Sequence, residues 1–346
     1  MKRFTLKVQE IKHHSFDALT LCFKQPGIRK VKYKAGQYIT LISNIAGRKY
    51  ARPYSFSSAP SKDAFLEITV KRVKNGIFSN HINDNARVGD TFEVIEPMGD
   101  FIYDYSNTTP VIFLWGVGSG ITPLFSIIKE ALNNSNFNTK LFLIYGNKNK
   151  ESSLFIDELE KLEIENSNNF TCFNFFSKDD SIKETNKLLK GRINSDFIKK
   201  LSKQCEGFEK NKHYICGPNE LKETITSTLL QLNVPKSYIL TEAFELVIDP
   251  KDFFDVKDST VNINFQGLHS EIFVPKGKSI LDIALDNNID IPYSCQIGNC
   301  NSCKAKVKQG QLKMLGLTKE RDGLAHDEFL LCCSYPLTNN INLEIS

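Results

Sequence analysis

The sequence predicts a multidomain chain of mixed α/β and β class: an antiparallel β-barrel, then an α/β domain on a parallel sheet, then a small C-terminal domain built around a cysteine loop. Three observations predict it. Short strand-like runs separated by turns fill residues 1 to about 103. At Val111 the pattern changes to a continuous apolar run, a glycine turn and a stretch of helical periodicity. Near the end, four of the nine cysteines fall in one register, Cys295-x4-Cys300-x2-Cys303 and, after a gap of 28 residues, Cys332. A chain of 346 residues also exceeds what one hydrophobic core usually serves.

Composition sets the class. With 41% hydrophobic and 24% charged residues the chain matches ordinary globular proteins. No apolar run approaches the roughly 20 residues that span a bilayer, so no membrane segment is expected. Residues 1–12 alternate apolar and polar instead of showing the apolar centre of a signal peptide, which predicts a cytoplasmic protein. Nine cysteines without an export signal favour reduced thiols and metal ligation over disulfides. Net charge is +4, and residues 259–346 hold 8 Lys and Arg against 9 Asp and Glu, so no block suggests nucleic acid.

In the N-terminal part, strands are expected at residues 4–11, 19–23, 37–42, 54–57, 65–72 and 91–95, a spacing that favours a small antiparallel barrel. Arg52-Pro53-Tyr54-Ser55 is its informative stretch. Residues two apart on a strand share a face roughly 7 Å from each other. Arg52 can then hold a pyrophosphate while the Tyr54 ring packs on a flat heterocycle. Ser55 faces the other way, with its NH or hydroxyl in reach of a ring nitrogen at the strand's edge. Taken alone, these four residues suit an ordinary edge strand as well. Further on, Lys71 and Arg72 end a basic strand before Gly76-Ile77-Phe78-Ser79, where Ser79 is expected to cap a short helix over 79–83. A helix start beside cations suits a phosphate; a solvated charge run before a plain turn is the simpler alternative.

The middle part opens on Val111-Ile112-Phe113-Leu114-Trp115, a run expected of a strand covered on both faces. Gly116, Gly118 and Gly120 follow in a turn that ends at Thr122-Pro123, and apolar residues then recur at helical spacing. Strand, glycine turn and helix start together seat a pyrophosphate, with Thr122 adding a hydroxyl. Ile121 stands where the common dinucleotide fingerprint has a third Gly or Ala. Further strands are expected at 140–145, 170–176 and 213–215, the last ending in Cys216-Gly217-Pro218, where a buried, inert Cys216 is the plain alternative. Neither of the strands ending near Lys148 and Lys178 carries an acid before its first basic residue, so a cation for a 2'-phosphate is better represented than an acid for a bare ribose.

Residues 246–257, with Asp249-Pro250-Lys251-Asp252, read as a linker. A hairpin at 261–265 and 271–274 follows, then a helix over 280–286 capped by Ser279, and then the cysteine loop. Thiolates at that loop's spacing can all reach one small core of iron and sulfide, and the plant-type 2Fe-2S pattern is written this way. A structural zinc knot usually brings two short paired knuckles, of which only Cys300 and Cys303 make one. Cys332 and Cys333 are adjacent, and neighbours on an extended chain point apart, so one of them meets iron.

Arg-Pro-Tyr-Ser, Gly-x-x-Ser, Pro97-Met98-Gly99 and the Gly-x-Gly-x-x-x-x-Pro turn together resemble the ferredoxin-NADP reductase superfamily, and the tail is similar to a plant-type ferredoxin of β-grasp fold. The resemblance implies an FAD-binding barrel over 1–105, with Arg52, Pro53, Tyr54, Ser55, Lys71, Gly76, Phe78 and Ser79 at the flavin. It implies an NAD(P)-binding domain over 106–245, in which Cys216 of Cys-Gly-Pro lies beside the nicotinamide. Ser177-Lys178 stands where NADP-dependent members carry Ser-Arg, implying NADPH over NADH, with Arg192 as a further candidate for that pocket, although lysine loses the bidentate geometry. Thr241-Glu242-Ala243-Phe244-Glu245 resembles a Glu-x-Phe segment near the ring; strand-end packing serves those residues equally well. After a linker over 246–258, the domain over 259–346 holds a 2Fe-2S cluster on Cys295, Cys300, Cys303 and Cys332, the last favoured by Leu-x-Cys-x-Ser-Tyr-Pro. Gln296 stands where that family often has Arg.

A hydride carries two electrons and a 2Fe-2S cluster accepts one, so a flavin between them makes the chain an electron circuit from NAD(P)H through FAD to the cluster. Hydride transfer needs positioning more than proton transfer, and Ser55, Cys216 and Glu242 are the residues expected to shape it. The domain order resembles reductase components of multicomponent oxygenases, those of the phenylacetyl-CoA epoxidase type above all, so the expected partner is an electron-accepting oxygenase component. The alternative is a general flavin or ferredoxin reductase whose cluster domain is a redox sensor; a non-enzymatic scaffold with a zinc tail is a third reading.

Overall fold

A computed structural model of the chain describes residues 1–25, 30–106, 109–134, 139–317 and 323–345. Two compact units divide the chain: Arg3–Leu41 with Tyr54–Glu242, and Met1–Lys2 with Ile42–Pro53 and Ala243–Ser346.

In the larger unit, β1 (Arg3–Ser15) and β2 (Ala18–Lys24) form an antiparallel hairpin. With β3 (Tyr38–Ile45), β4 (Arg48–Ser55), β5 (Phe65–Lys71) and β6 (Thr91–Met98) they make a sheet of order β4-β3-β6-β1-β2-β5, of which residues 42–53, the end of β3 and most of β4, belong to the smaller unit. A bridge between Phe56 and Ile68 joins the chain just past β4 to β5, which brings the ends of that order together as a barrel requires. Alternation explains β1, where Leu6 and Val8 are buried between exposed Thr5, Lys7 and Gln9. In β2 every residue from Ala18 to Phe23 is buried, because one of its faces meets a second layer. Helix α1 (Ile77–Asn85) follows β5.

That second layer is a parallel sheet of order β10-β9-β8-β7-β11-β12, formed by β7 (Val111–Val117), β8 (Lys140–Asn147), β9 (Phe170–Phe176), β10 (Leu188–Lys190), β11 (Lys212–Cys216) and β12 (Ile239–Glu242). Its helices are α2 (Ile121–Asn133), α3 (Ile156–Glu165), α4 (Ser195–Gln204) and α5 (Asn219–Gln231). The apolar run predicted to be covered on both sides is so covered. Ile112 and Leu114 pack with Leu124 and Ile128 of α2, whereas Phe113 and Trp115 pack with Ile198 of α4 and Ile225 of α5. Each such fully buried side chain contributes roughly 1.5–3 kcal/mol. The first of these cores also takes in Ala18, Ala35, Phe101 and Tyr103, so barrel and sheet share it. Polar contacts line the same seam: Lys129 Nζ pairs with Asp63 at 2.5 Å, Lys212 Nζ with Asp104 at 2.7 Å, and Tyr214 OH donates to Ile102 O at 3.1 Å.

One buried group makes this sheet sensitive to acid. His213 of β11 is 0% exposed, stacks on Phe113 at 4.9 Å, and accepts a hydrogen bond at Nδ1 from Trp115 Nε1 at 3.2 Å. Burial pushes its pKa from 6.5 down to about 3, so the native ring is neutral. The unfolded chain takes up this proton near pH 6.5, and the folded chain refuses it until about pH 3. Stability from this site is complete above pH 6.5 and falls through that window as pH falls, by about 1.4 kcal/mol per pH unit. The urea midpoint is therefore expected to drop between pH 7 and pH 5 in the parent protein and to drop less in His213→Asn, whose side chain keeps an acceptor but does not titrate. Identical pH profiles for the two would contradict the assignment.

The smaller unit contains a sheet of order β14-β13-β19-β15-β17, with β13 (Ser259–Phe265), β14 (Leu268–Val274), β15 (Lys304–Gln309), β17 (Glu328–Leu330) and β19 (Ile341–Ile345), and a separate pair of β16 (Leu312–Met314) and β18 (Ser334–Pro336). β13 and β19 are parallel and the other pairs antiparallel. Helix α6 (Ile280–Asp286) buries Ile280, Leu281 and Ala284, and the Ser279 hydroxyl accepts from the Asp282 amide at 3.1 Å, the cap read from the sequence. This is the expected β-grasp layout. The stretch read as a linker is itself structured: Pro250–Phe253 forms a 3-10 turn, and Ile248 and Phe253 pack against Val256, Leu315 and Tyr335. Among the described residues no helix is long and apolar enough to cross a membrane.

Candidate functional site

The parallel sheet reverses direction at one place. From β7 the chain builds outward through β8, β9 and β10, then returns to place β11 and β12 on the other side of β7. Open α/β sheets bind ligands outside the carboxyl ends of their strands at such a switch point. Gly116, Cys216 and Glu242 lie in register there, at the ends of the three adjacent strands β7, β11 and β12. Two residues expected to shape the transfer site, Cys216 and Glu242, are thus neighbours across the ladder. Cys216 is fully buried, and burial, then the Glu242 charge, hold its thiol well above the ordinary range. It is a neutral, space-filling group at this edge, not a nucleophile.

The three glycines of the turn do different work. Gly118 adopts φ +56°, a left-handed conformation, and a Cβ there would meet nothing within 4 Å. Gly120 has ordinary helical dihedrals, but a Cβ there would lie 2.2 Å from the carbonyl oxygen of Cys216. A Cβ on Gly116 would lie 2.8 Å from Leu124 Cδ1. Gly120 and Gly116 therefore serve packing of the turn on β11 and α2, and Gly118 alone leaves backbone open to a ligand. The Thr122 hydroxyl, read from the sequence as a ligand contact, donates to Ser119 O at 3.0 Å and so helps to close the turn. Tyr145 OH donates to Gly118 O at 3.3 Å. α2 begins with Ile121, Thr122 and buried Pro123; its first turn carries no acidic residue and no side chain caps it, which leaves its positive end available to an anion. Asn147, at the end of β8, has a buried Nδ2 with no hydrogen-bond partner among the described residues. A bare helix start, an open glycine and an orphan amide donor at one sheet edge fit a phosphorylated ligand. The sequence reading, looking for an acid or a base after this strand, passed over Asn147.

Beyond that edge, Ser177 and Lys178 are exposed after β9, and their backbone amides donate to Asn147 O at 2.9 Å and Lys148 O at 2.8 Å. Gly217 lies against Val117, and Pro218 starts α5. Arg192 pairs with Glu220 at 3.4 Å on the surface.

In the barrel, Arg52, Pro53 and Tyr54 are half-buried along β4 and Ser55 is buried at its end. The Tyr54 ring lies 6.0 Å from that of Phe78, tilted by 32°. Helix α1 corrects one expectation: it runs over Ile77–Asn85 with Gly76 as its N-cap, and Ser79 lies inside it. The Ser79 hydroxyl accepts from the upstream Val73 amide at 3.1 Å, so it fastens the turn and does not cap the helix. No side chain caps α1 and its first turn has no acid, an uncovered helix start beside an aromatic pair that suits a flavin nucleotide. Lys71 reaches Asp17 and the Ser152 carbonyl, each at 3.5 Å. Phe244 is exposed just past β12.

In the smaller unit, the four cysteines of the predicted register come together as two pairs. The Cys295 and Cys300 side chains lie against each other, and the Cys295 thiol holds that of Cys300 below its ordinary range against the opposing effect of burial. Cys303 hydrogen-bonds with Cys332 and its own thiol is pushed well above the usual range, by that bond first and then by burial. Each pair also feels the other's charge. Among the described residues no three His, Cys, Asp or Glu side chains close around one ion. Two pairs of thiols, each fit to hold one iron of a binuclear core, match the donor set of a 2Fe-2S cluster. Cys333 lies beside Cys332, and its sulfur donates to Leu330 O at 3.4 Å.

Three domain families match in turn: an oxidoreductase FAD-binding domain over residues 5–103, an oxidoreductase NAD-binding domain over 114–227, and a 2Fe-2S iron-sulfur cluster binding domain over 263–337. One component of the 1,2-phenylacetyl-CoA epoxidase of Escherichia coli is 30% identical over 98% of this chain and 97% of its own. The chain belongs to the ferredoxin-NADP reductase superfamily, in the branch that ends in a 2Fe-2S domain. Within this superfamily, the ferredoxin reductase component of 3-ketosteroid-9-alpha-monooxygenase from Rhodococcus rhodochrous is 27% identical over 98% of this chain and 96% of its own. Phthalate dioxygenase reductase shares the fold, with a TM-score of 0.70 at 22% identity, covering 99% of this chain and 98% of that one. A member of the superfamily with these three domains is an oxidoreductase that moves electrons from a pyridine nucleotide through FAD to a 2Fe-2S cluster.

Proposed function

We propose that this reductase serves a multicomponent oxygenase, delivering electrons from NADPH to the oxygenase component. What carries the reading is the pairing of Cys295 with Cys300 and of Cys303 with Cys332, a one-electron donor site in the same polypeptide as a nucleotide-binding sheet edge. Flavin, when bound, supplies the conversion between paired and single electrons. The chain's own residues bind and orient. In this reading Arg52 holds the pyrophosphate, Tyr54 and Phe78 flank the ring, Pro53 stiffens the strand, Ser55 addresses the ring's polar edge, and Lys71, Gly76 and Ser79 shape the phosphate turn. Gly116, Gly118, Gly120, Thr122 and Pro123 form the turn for the nicotinamide nucleotide, with Cys216, Gly217 and Pro218 as its wall and Glu242 and Phe244 toward the flavin. Ser177 and exposed Lys178 favour the 2'-phosphate, and Arg192 is already engaged by Glu220. The functional domains are proposed as 1–105, 106–245 and 259–346. A cytoplasmic site agrees with nine free cysteines.

Anaerobic titration of the purified protein with NADH and then NADPH tests flavin, cluster and coenzyme together. Both chromophores are expected to bleach, at lower concentration of NADPH than of NADH. Adding a purified oxygenase component should then restore the cluster spectrum; phenylacetyl-CoA epoxidase and a 3-ketosteroid monooxygenase are the partners to compare first. A cluster that ignores both nucleotides would overturn the reading and favour a sensor role for the tail.

A further inference from the structure

Within the smaller unit, the outer part of β4 meets the cysteine loop through an ordered set of hydrogen bonds. β4 ends its sheet order, so Ala51 has backbone groups that no outer strand can satisfy. Both are met by side chains flanking Cys295. The Ala51 amide donates to Tyr293 OH at 3.0 Å, and the Ala51 carbonyl accepts from Gln296 Nε2 at 2.8 Å. Gln296 Oε1 in turn accepts from Arg52 Nη1 at 3.2 Å, and the same Nη1 donates to Ala51 O at 2.8 Å. Only one orientation of the amide works: exchanging its oxygen and nitrogen would set NH2 against guanidinium and oxygen against carbonyl. Gln296 also sits at φ +60°, a conformation that costs a non-glycine residue about 1 kcal/mol or more and persists only where neighbours enforce it. An arginine there, the residue the resemblance leads one to expect, could donate to Ala51 O but could not accept from Arg52, and it would set two guanidinium groups together.

We infer that Gln296 is a positioning residue for electron transfer, latching the loop that carries Cys295 onto the strand that carries Arg52. This rests on the assignment of Arg52 to FAD and of Cys295 to the cluster. The step it serves moves one electron from reduced flavin to the oxidised cluster, with no bond made or broken, and its rate falls steeply when the path between donor and acceptor loosens. Tyr293 is the second half of the latch.

The test uses the full-length holoprotein and two variants, Gln296→Arg and Tyr293→Phe. Amide exchange over residues 48–53 is expected to rise at least tenfold in Gln296→Arg and less in Tyr293→Phe, with other barrel strands unchanged. In anaerobic stopped flow with NADPH, flavin bleaching should keep its rate in both, whereas cluster bleaching should slow at least tenfold in Gln296→Arg and severalfold in Tyr293→Phe. The oxidised visible spectra should match the parent. Unchanged cluster bleaching in Tyr293→Phe overturns the inference even where Gln296→Arg fails to fold, and so does unchanged exchange over 48–53. A parent protein whose cluster never bleaches would instead refute the underlying assignment of function.

Discussion

Cys332→Ser is expected to abolish the cluster, while Cys333→Ser retains it. Both cysteines are buried in the 3-10 turn Leu331–Cys333, and composition gives no reason to prefer either. Their surroundings do. Cys332 lies against both Cys303 and Cys333, with Cys303 the stronger neighbour, and with Cys303 it completes the second thiol pair. Cys333 is 0% exposed, donates to Leu330 O, and lies where a Cβ on Gly298 would touch its sulfur at 3.3 Å. A serine hydroxyl at 332 does not ionise as a thiol does and is a poor replacement ligand for iron. With one of four ligands lost, nearly all the visible absorbance and bound iron should go, and the loop should lose the stability that ligation adds to a small domain. A serine at 333 can keep the bond to Leu330 O, so its cost should stay at about 1–2 kcal/mol. Visible spectra and iron counts on the two variants decide the matter; an iron-free Cys333→Ser beside a brown Cys332→Ser would reverse the assignment.

Where local sequence alone determines structure, the sequence was legible. β9 spans the predicted residues 170–176, because a run of Phe170, Thr171, Cys172, Phe173 and Asn174 has no competing helical period. α6 begins at its Ser279 cap for the same local reason. The first half of β4 was missed: Arg48, Lys49, Tyr50 and Ala51 alternate too little to announce a strand, and partners distant in the chain satisfy its outer edge. β10 has three residues and borrows its conformation from pairing with β9. Ser79 was misplaced as a cap because Gly76 already has the extended φ −74°, ψ 120° that a cap position needs, so the serine turns upstream to Val73. The candidate site followed the same division. The glycine turn, the Cys-Gly-Pro strand end and the cysteine register are local patterns. The partner that gives Gln296 a role lies 244 residues away, and the orphan donor of Asn147 exists only once the sheet edge has formed.

Gly120→Ala is expected to be the most destabilising single methyl in the nucleotide-binding sheet. Its dihedrals, φ −61° and ψ −11°, suit any residue, so sequence logic that reserves glycine for left-handed turns would pass this substitution. Space forbids it. The added Cβ would lie 2.2 Å from the Cys216 carbonyl oxygen, 2.6 Å from its carbon and 3.0 Å from the Gly217 nitrogen, all backbone atoms that no rotamer change can move. Relief requires α2 to lift from β11, which opens the core formed by Ile121, Leu124, Tyr214 and Cys216. Overpacking of that kind costs on the order of 3 kcal/mol or more in a close-packed interior. Gly118→Ala provides the contrast, since its φ of +56° costs about 1 kcal/mol but the new methyl meets nothing. Urea unfolding should separate the two variants clearly, and binding should reverse their order. A folded Gly118→Ala is expected to lose nucleotide affinity because its methyl occupies the one open stretch of turn backbone. Equal stability of the two variants would mean that the turn and β11 do not approach as closely as this packing requires.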